Sequence, residues 1–158
     1  MKFFIYLFIL FYIKCNYAAE FTIQSNSRVK YDEFIFTDKS KYITLHQLGQ
    51  WTDSLGNYGS QECKGLVKKD KLDKVHFLDV VCKSVDKNNI FTWRKYERTS
   101  DSQIQRGVGI STIIDTNSKY KKDLIGTKCN YAVNRTLDMV FSKSVCKISD
   151  ELYKKLLN

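Results

Sequence analysis

Asp53-Ser-Leu-Gly-Asn-Tyr58 leads to Cys63 and, across an apolar stretch, to Cys82. Asp115-Thr-Asn-Ser-Lys-Tyr120 leads in the same way to Cys129 and Cys146. Each copy runs Asp, four residues, Tyr, a nearby Gly, Cys and a second Cys, and the two Cys-to-Cys intervals differ by only two residues. Four cysteines allow three pairings. The repetition selects Cys63 with Cys82 and Cys129 with Cys146, because each bridge then ties one hairpin in the same way. The absence of any close Cys-x-x-Cys spacing argues against a metal site. A body made of a meander of hairpins is expected.

Outward from this repeat, strand-like runs recur at short intervals. Val29 to Phe36 sets Val29 and Tyr31 against Phe34 and Phe36, and Lys41 to Trp51 puts Ile43, Leu45 and Trp51 on one face. Tyr58 to Val67 and Val75 to Val85 carry the first cysteine pair. Ile90 to Arg98 groups Phe91 with Trp93, and Val108 to Ile114 groups Val108, Ile110, Thr112 and Ile114. Leu124 to Val133 and Leu137 to Ile148 carry the second pair. Polar turns separate several of them, at Lys69 to Lys74, Asp86 to Asn89 and Asp115 to Lys119. Period-two runs rich in β-branched and aromatic residues, bounded by such turns, read as about eight strands. Ser149 followed by Asp150 and Glu151 opens a short helical tail, with a capping hydroxyl and acids in its first turn. The predicted fold is all-β: a roughly eight-stranded antiparallel barrel with a short C-terminal helix. Closure removes exposed edges; a two-sheet sandwich is the rival.

The first residues read as a targeting segment. Lys2 precedes an unbroken apolar run from Phe3 to Ile13, too short to cross a bilayer comfortably and right for a signal-peptide core. Ala18 and Ala19 supply small residues for cleavage, so residues 1–19 are assigned to a signal peptide and 20–158 to one domain. The expected location is secreted or periplasmic, where an even cysteine count forms disulfides. Loss of Lys2 and Lys14 with the leader lowers the formal charge from +9 to +7. A basic exported chain allows an anionic envelope surface as partner, whereas nucleic acid is not expected without an arginine-rich recognition element. Plentiful Lys, Asn, Ile, Tyr and Phe with no Pro also fit plain compositional bias.

Chemistry is thinly written. There is no Gly-x-Ser-x-Gly elbow, phosphate loop or His-Glu-x-x-His, and no carboxylates pair for acid–base work. Neither His46 nor His76 belongs to a metal-spaced cluster. No cofactor and no metal are expected. Asp53 and Asp115 read as acceptors for the backbone of their own turns, with Tyr58 and Tyr120 packing back over them. Asn134-Arg-Thr136 fits a glycosylation acceptor, meaningful only in a eukaryotic source. His46, Trp93 and Tyr131 are the candidate ligand-site residues.

Gly107-Val-Gly109, a strand, Asp115 to Tyr120 and then Gly126 resemble part of the allene oxide cyclase and dirigent barrels, members of the calycin-type shape. Those families run a Gly-x-Gly strand into a tight turn, a Tyr and a further Gly; Trp51 to Gly59 is similar to the same corner. The likeness spans about a third of the chain and implies a barrel with a mouth that takes a small apolar molecule. The two disulfides depart from the usual pattern, and no functional residue of those families falls on a position here. Gly49-Gln-Trp51 is similar to the lipocalin Gly-x-Trp signature, but does not open the first strand. The expected role is non-enzymatic binding of a small apolar or amphipathic ligand or an envelope component. The alternatives are a cyclase or isomerase barrel and a surface protein that binds acidic polymers.

Overall fold

A computed structural model describes residues 18–98, 102–103 and 106–157. The expected signal segment falls mainly on residues 1–17, outside the described residues. The strands are β1 (Ala18–Ile35), β2 (Lys41–Asp53), β3 (Tyr58–Lys69), β4 (Lys74–Asp86), β5 (Phe91–Arg98), the two-residue β6 (Ser102–Gln103), β7 (Arg106–Thr116), β8 (Lys128–Thr136) and β9 (Met139–Ser149). A 3-10 turn, η1 (Lys122–Leu124), precedes β8, and α1 (Asp150–Leu157) follows β9.

Eight of these strands close into an antiparallel barrel. Sequence neighbours pair in turn, and β1 pairs with β9 to shut the ring. The short β6 pairs with the start of β4 at the rim. The barrel expectation holds and the sandwich does not. Three strand starts differ from the sequence reading. β1 begins at Ala18, because its first half pairs with β9, and the alternation there is diluted by polar residues such as Gln24 and Asn26. Leu124 lies in η1 rather than in a strand, and Leu137 sits in a turn with φ 57°.

Tight turns make the meander possible. Asp53 Oδ1 accepts N–H bonds from Leu55 and Asn57, both 2.9 Å. Asp70 does the same for Leu72 and Lys74, and Asp86 for Asn88 and Ile90. In each turn the third residue after the Asp adopts left-handed backbone: Gly56, Asp73 and Asn89. This is a type I turn extended by a left-handed residue, a hairpin connection that suits the twist of the strands. Asp115 is not equivalent to Asp53. Among the described residues its carboxylate accepts only the N–H of Thr116, and a longer connection containing η1 follows. Tyr58 and Tyr120 do not cover the turns; both are exposed, and Lys87 lies over the Tyr58 ring.

Both disulfides are as expected. Cys63 faces Cys82 and Cys129 faces Cys146 in direct register, with Cα separations of 4.0 and 4.1 Å. All four side chains point inward and are buried.

The interior is stacked in three layers. The first holds Val29, Ile43, Leu45, Val67, Val80, Tyr96, Tyr131, Val140 and the Cys63–Cys82 bridge. The last holds Phe21, Ile23, Trp51, Ile113, Ile148 and the Cys129–Cys146 bridge. Leu55, Leu152, Tyr153 and Leu156 pack against this last layer, so α1 stops that end. The Ser149 hydroxyl caps α1 by accepting the N–H of Leu152, and Lys155 pairs with Asp123 of η1. Between the apolar layers lie Ser27, Gln61, Ser84, Arg94, Ser111 and Ser144, all buried.

On β5 and β7 the two faces are reversed relative to simple hydrophobic expectation. Val108, Ile110 and Ile114 form one face as read from the sequence, but that face is exposed, and so is Phe141. The inward face of β5 instead carries Arg94, Tyr96 and Arg98.

Candidate functional site

Under the barrel end that lies opposite α1, a cavity of about 70 Å³ remains in the first layer. Leu45, Val67, Val80, Val140 and the Tyr96 and Tyr131 rings form its apolar wall, and Gln61, Arg98 and Arg135 its polar part. The two tyrosines meet edge to face, with centroids 5.2 Å apart. At the rim the Arg135 guanidinium stacks over the half-buried Tyr31 ring at 4.2 Å. Its Nε already donates to the Leu137 carbonyl at 2.9 Å, and the stacking leaves its Nη groups able to bond in the guanidinium plane.

Two glycines admit the large side chains. A Cβ on Gly107 would stand 2.2 to 2.4 Å from three atoms of the Arg98 guanidinium, and one on Gly109 would stand 2.7 Å from the Tyr131 ring. Gly107 and Gly109 thus hollow out one wall of β7, and Arg98 and Tyr131 occupy the space. The chemical content of the Gly-Val-Gly stretch is this room for a guanidinium and a phenol.

Tyr131 is 5 % exposed, and its hydroxyl has no hydrogen-bond partner among the described residues. Burial pushes its pKa up; the charge of Arg98 works against that shift without reaching good hydrogen-bond geometry. Burial likewise raises Tyr31, opposed by Arg135. Both phenols are therefore neutral donors at ordinary pH, suited to bonding an oxygen rather than removing a proton.

Below this cavity, Arg94 is 2 % exposed. Its Nη2 donates to Ser84 Oγ at 2.7 Å and to Gln61 Oε1 at 3.2 Å. Its Nε and Nη1 are buried without a partner. An unmade bond to a buried polar group costs roughly 1–3 kcal/mol, and more for a charged one. The polar layer continues from Gln61 Nε2 to Ser25 and from Ser25 to Ser142.

Of the three candidate ligand-site residues, only Tyr131 reaches the interior. His46 lies on the outer wall, 2.9 Å from Glu62 Oε1. Trp93 also lies outside, beneath the Lys83 ammonium. Arg94, Arg98 and Arg135 were not singled out from the sequence. A signal for the first was present: the turn centred on Asn88 pairs Cys82 with Arg94, and a disulfide cysteine marks the inward face. Among the described residues no group of three His, Cys, Asp or Glu side chains comes together to hold a metal. The lysines of the 69–74 turn and those at 119–122 lie at opposite ends of the barrel, since three barrel strands, β4, β5 and β7, run between them.

Compared with protein-family models, curated proteins and solved structures, the chain matches none of them.

Proposed function

We propose that the protein is an exported, non-enzymatic barrel that binds a small amphipathic ligand at the Tyr31 end. The observation that carries this reading is the cavity itself. Aliphatic and aromatic side chains form its wall, while Arg98, Arg135 and the unpartnered Tyr131 hydroxyl converge on it. Binding sites combine apolar walls with a few placed polar groups in this way. At about 70 Å³ the cavity takes only a few non-hydrogen atoms. Whole-ligand pockets are several times larger, roughly 300–1,000 Å³. The ligand therefore enters by one end, and the rest lies over the rim beside Tyr31 and Arg135. The guanidiniums favour a carboxylate or another oxyanion on the ligand.

The two disulfides fit an oxidising compartment, and the amino-terminal leader supplies the route there in this reading. An anionic envelope surface is a weaker partner, because the two lysine clusters cannot act as one patch.

The buried tyrosine favours a second reading, a cyclase or isomerase in which Tyr131 donates to a substrate carbonyl beside Arg98. The likeness of Gly107 to Gly126 to the allene oxide cyclase and dirigent barrels supports it on shape alone.

Short carboxylates, alcohols and phenols titrated into the protein, followed by calorimetry, test the first reading. A carboxylate should bind, Val140→Phe should abolish binding by filling the cavity, and Tyr131→Phe should weaken it. Equal binding by wild type and Val140→Phe would move the site elsewhere. Turnover of the bound compound, lost in Tyr131→Phe, would favour the second reading.

A further inference from the structure

We propose that a second, smaller cavity beside Arg94 is a binding site for a monovalent anion of halide size. This does not rest on the ligand reading above, because the cavity lies on the α1 side of the polar layer and has its own walls.

Arg94 is 98 % buried, yet two of its guanidinium nitrogens, Nε and Nη1, have no partner. Among the described residues no carboxylate stands within ion-pair distance of it, and its two hydrogen bonds go to neutral oxygens. A charge so far from water needs a counter-charge or a dense set of acceptors. The described side chains supply neither.

Next to it is a cavity of about 40 Å³, lined by Arg94, Ser84, Trp51, Ile113, Lys121 and Asp53, among others. Two cations and one acid leave a local charge of plus one. Asp53 is already engaged by the Leu55 and Asn57 N–H groups and the Asn57 amide. Lys121 has Asp86 at 3.8 Å. The uncompensated charge is that of Arg94.

Volume sets the ligand. The cavity is small, about 40 Å³, so a compact ion suits it. A water molecule would satisfy N–H groups but leave the charge. A halide accepts from one of these N–H groups and also supplies the counter-charge, and in a poorly polarisable interior the interaction is stronger than in solvent. The Ser84 hydroxyl, already bonded to Arg94, holds the guanidinium in place for it.

Crystals grown without halide and soaked in sodium bromide should show an anomalous peak in this cavity beside Arg94. In solution, thermal unfolding in sodium chloride or bromide should be compared with sodium gluconate at equal ionic strength. The halides should raise the midpoint in proportion to the logarithm of their concentration above Kd, by roughly 5 °C at tenfold above Kd, and gluconate should not. Arg94→Gln should remove the halide-specific rise. If that variant does not fold, Ser84→Ala keeps the charge and should weaken halide affinity several-fold. An ordered water in place of the bromide peak, or the same rise in gluconate, would overturn the proposal.

Discussion

The guanidinium carbon of Arg98 lies 2.2 Å from the point where a Cβ on Gly107 would stand. No alanine can occupy position 107 while Arg98 keeps its place. Gly107→Ala should therefore destabilise the barrel by roughly 1–3 kcal/mol, the usual range for an overpacked interior. Urea unfolding measures it. Adding Arg98→Ala should recover part of the loss, so the two changes combine non-additively. Strict additivity would mean that the guanidinium does not rest on Gly107.

The bridges close loops of 19 and 17 residues. Removing either, as Cys63→Ala with Cys82→Ala or the equivalent second pair, should cost about 3 kcal/mol. Non-reducing peptide maps should link Cys63 to Cys82 and Cys129 to Cys146. A peptide joining Cys63 to Cys129 or Cys146 would contradict the strand register.

Asp53 and Asp86 each accept two backbone N–H groups of their own turns, whereas Asp115 accepts one. Asp53→Ala and Asp86→Ala should each cost about 1–2 kcal/mol, and Asp115→Ala less. Chemical denaturation of the three variants ranks them. An Asp115→Ala loss equal to the other two would restore the equivalence that the repeated sequence suggests.

Stability should fall at both pH extremes. The Ser40 hydroxyl and N–H hold Asp38 below the ordinary carboxylate range. The Lys74 N–H does so for Asp70, and the Lys41 ammonium for Asp73. Their folded forms bind fewer protons than the unfolded chain. Their stabilisation is thus full above about pH 5 and is lost as pH drops below about 4. Tyr31 and Tyr131 are shifted the other way, chiefly by burial. Their contribution is full below about pH 10 and lost above it. Melting temperature against pH should show a plateau between these limits. Asp70→Asn should flatten the acid limb, and phenolate absorbance of Tyr131 should appear only with unfolding.

Cysteine spacing and turn chemistry were enough to read the barrel, the bridges and α1. They are local signals: an Asp turn needs only five residues, and a cysteine pair marks two neighbouring strands. The interior was harder to read. On β7, hydrophobicity favours Val108, Ile110 and Ile114 as the buried face, but closure turns Gly107, Gly109 and Ser111 inward. Their small size leaves volume that Arg98 and Tyr131 fill from neighbouring strands. Such complementarity between a glycine and an arginine is non-local, and it is visible only once register is known. The same holds for His46 and Trp93, whose parity places them outside.

β1 meets β9 in register from Ala18 opposite Ser149 to Arg28 opposite Met139. Within the barrel, the first strand to be synthesised therefore waits for the last. Until β9 arrives, one flank of β1 stays open to pairing with any other extended chain. All the other main strand pairs form between sequence neighbours, so the meander can build itself as the chain appears. The closing contact has nearly the longest loop the chain can offer, and such contacts form late. The interval between synthesis of β1 and closure of this seam is the period of greatest exposure to aggregation.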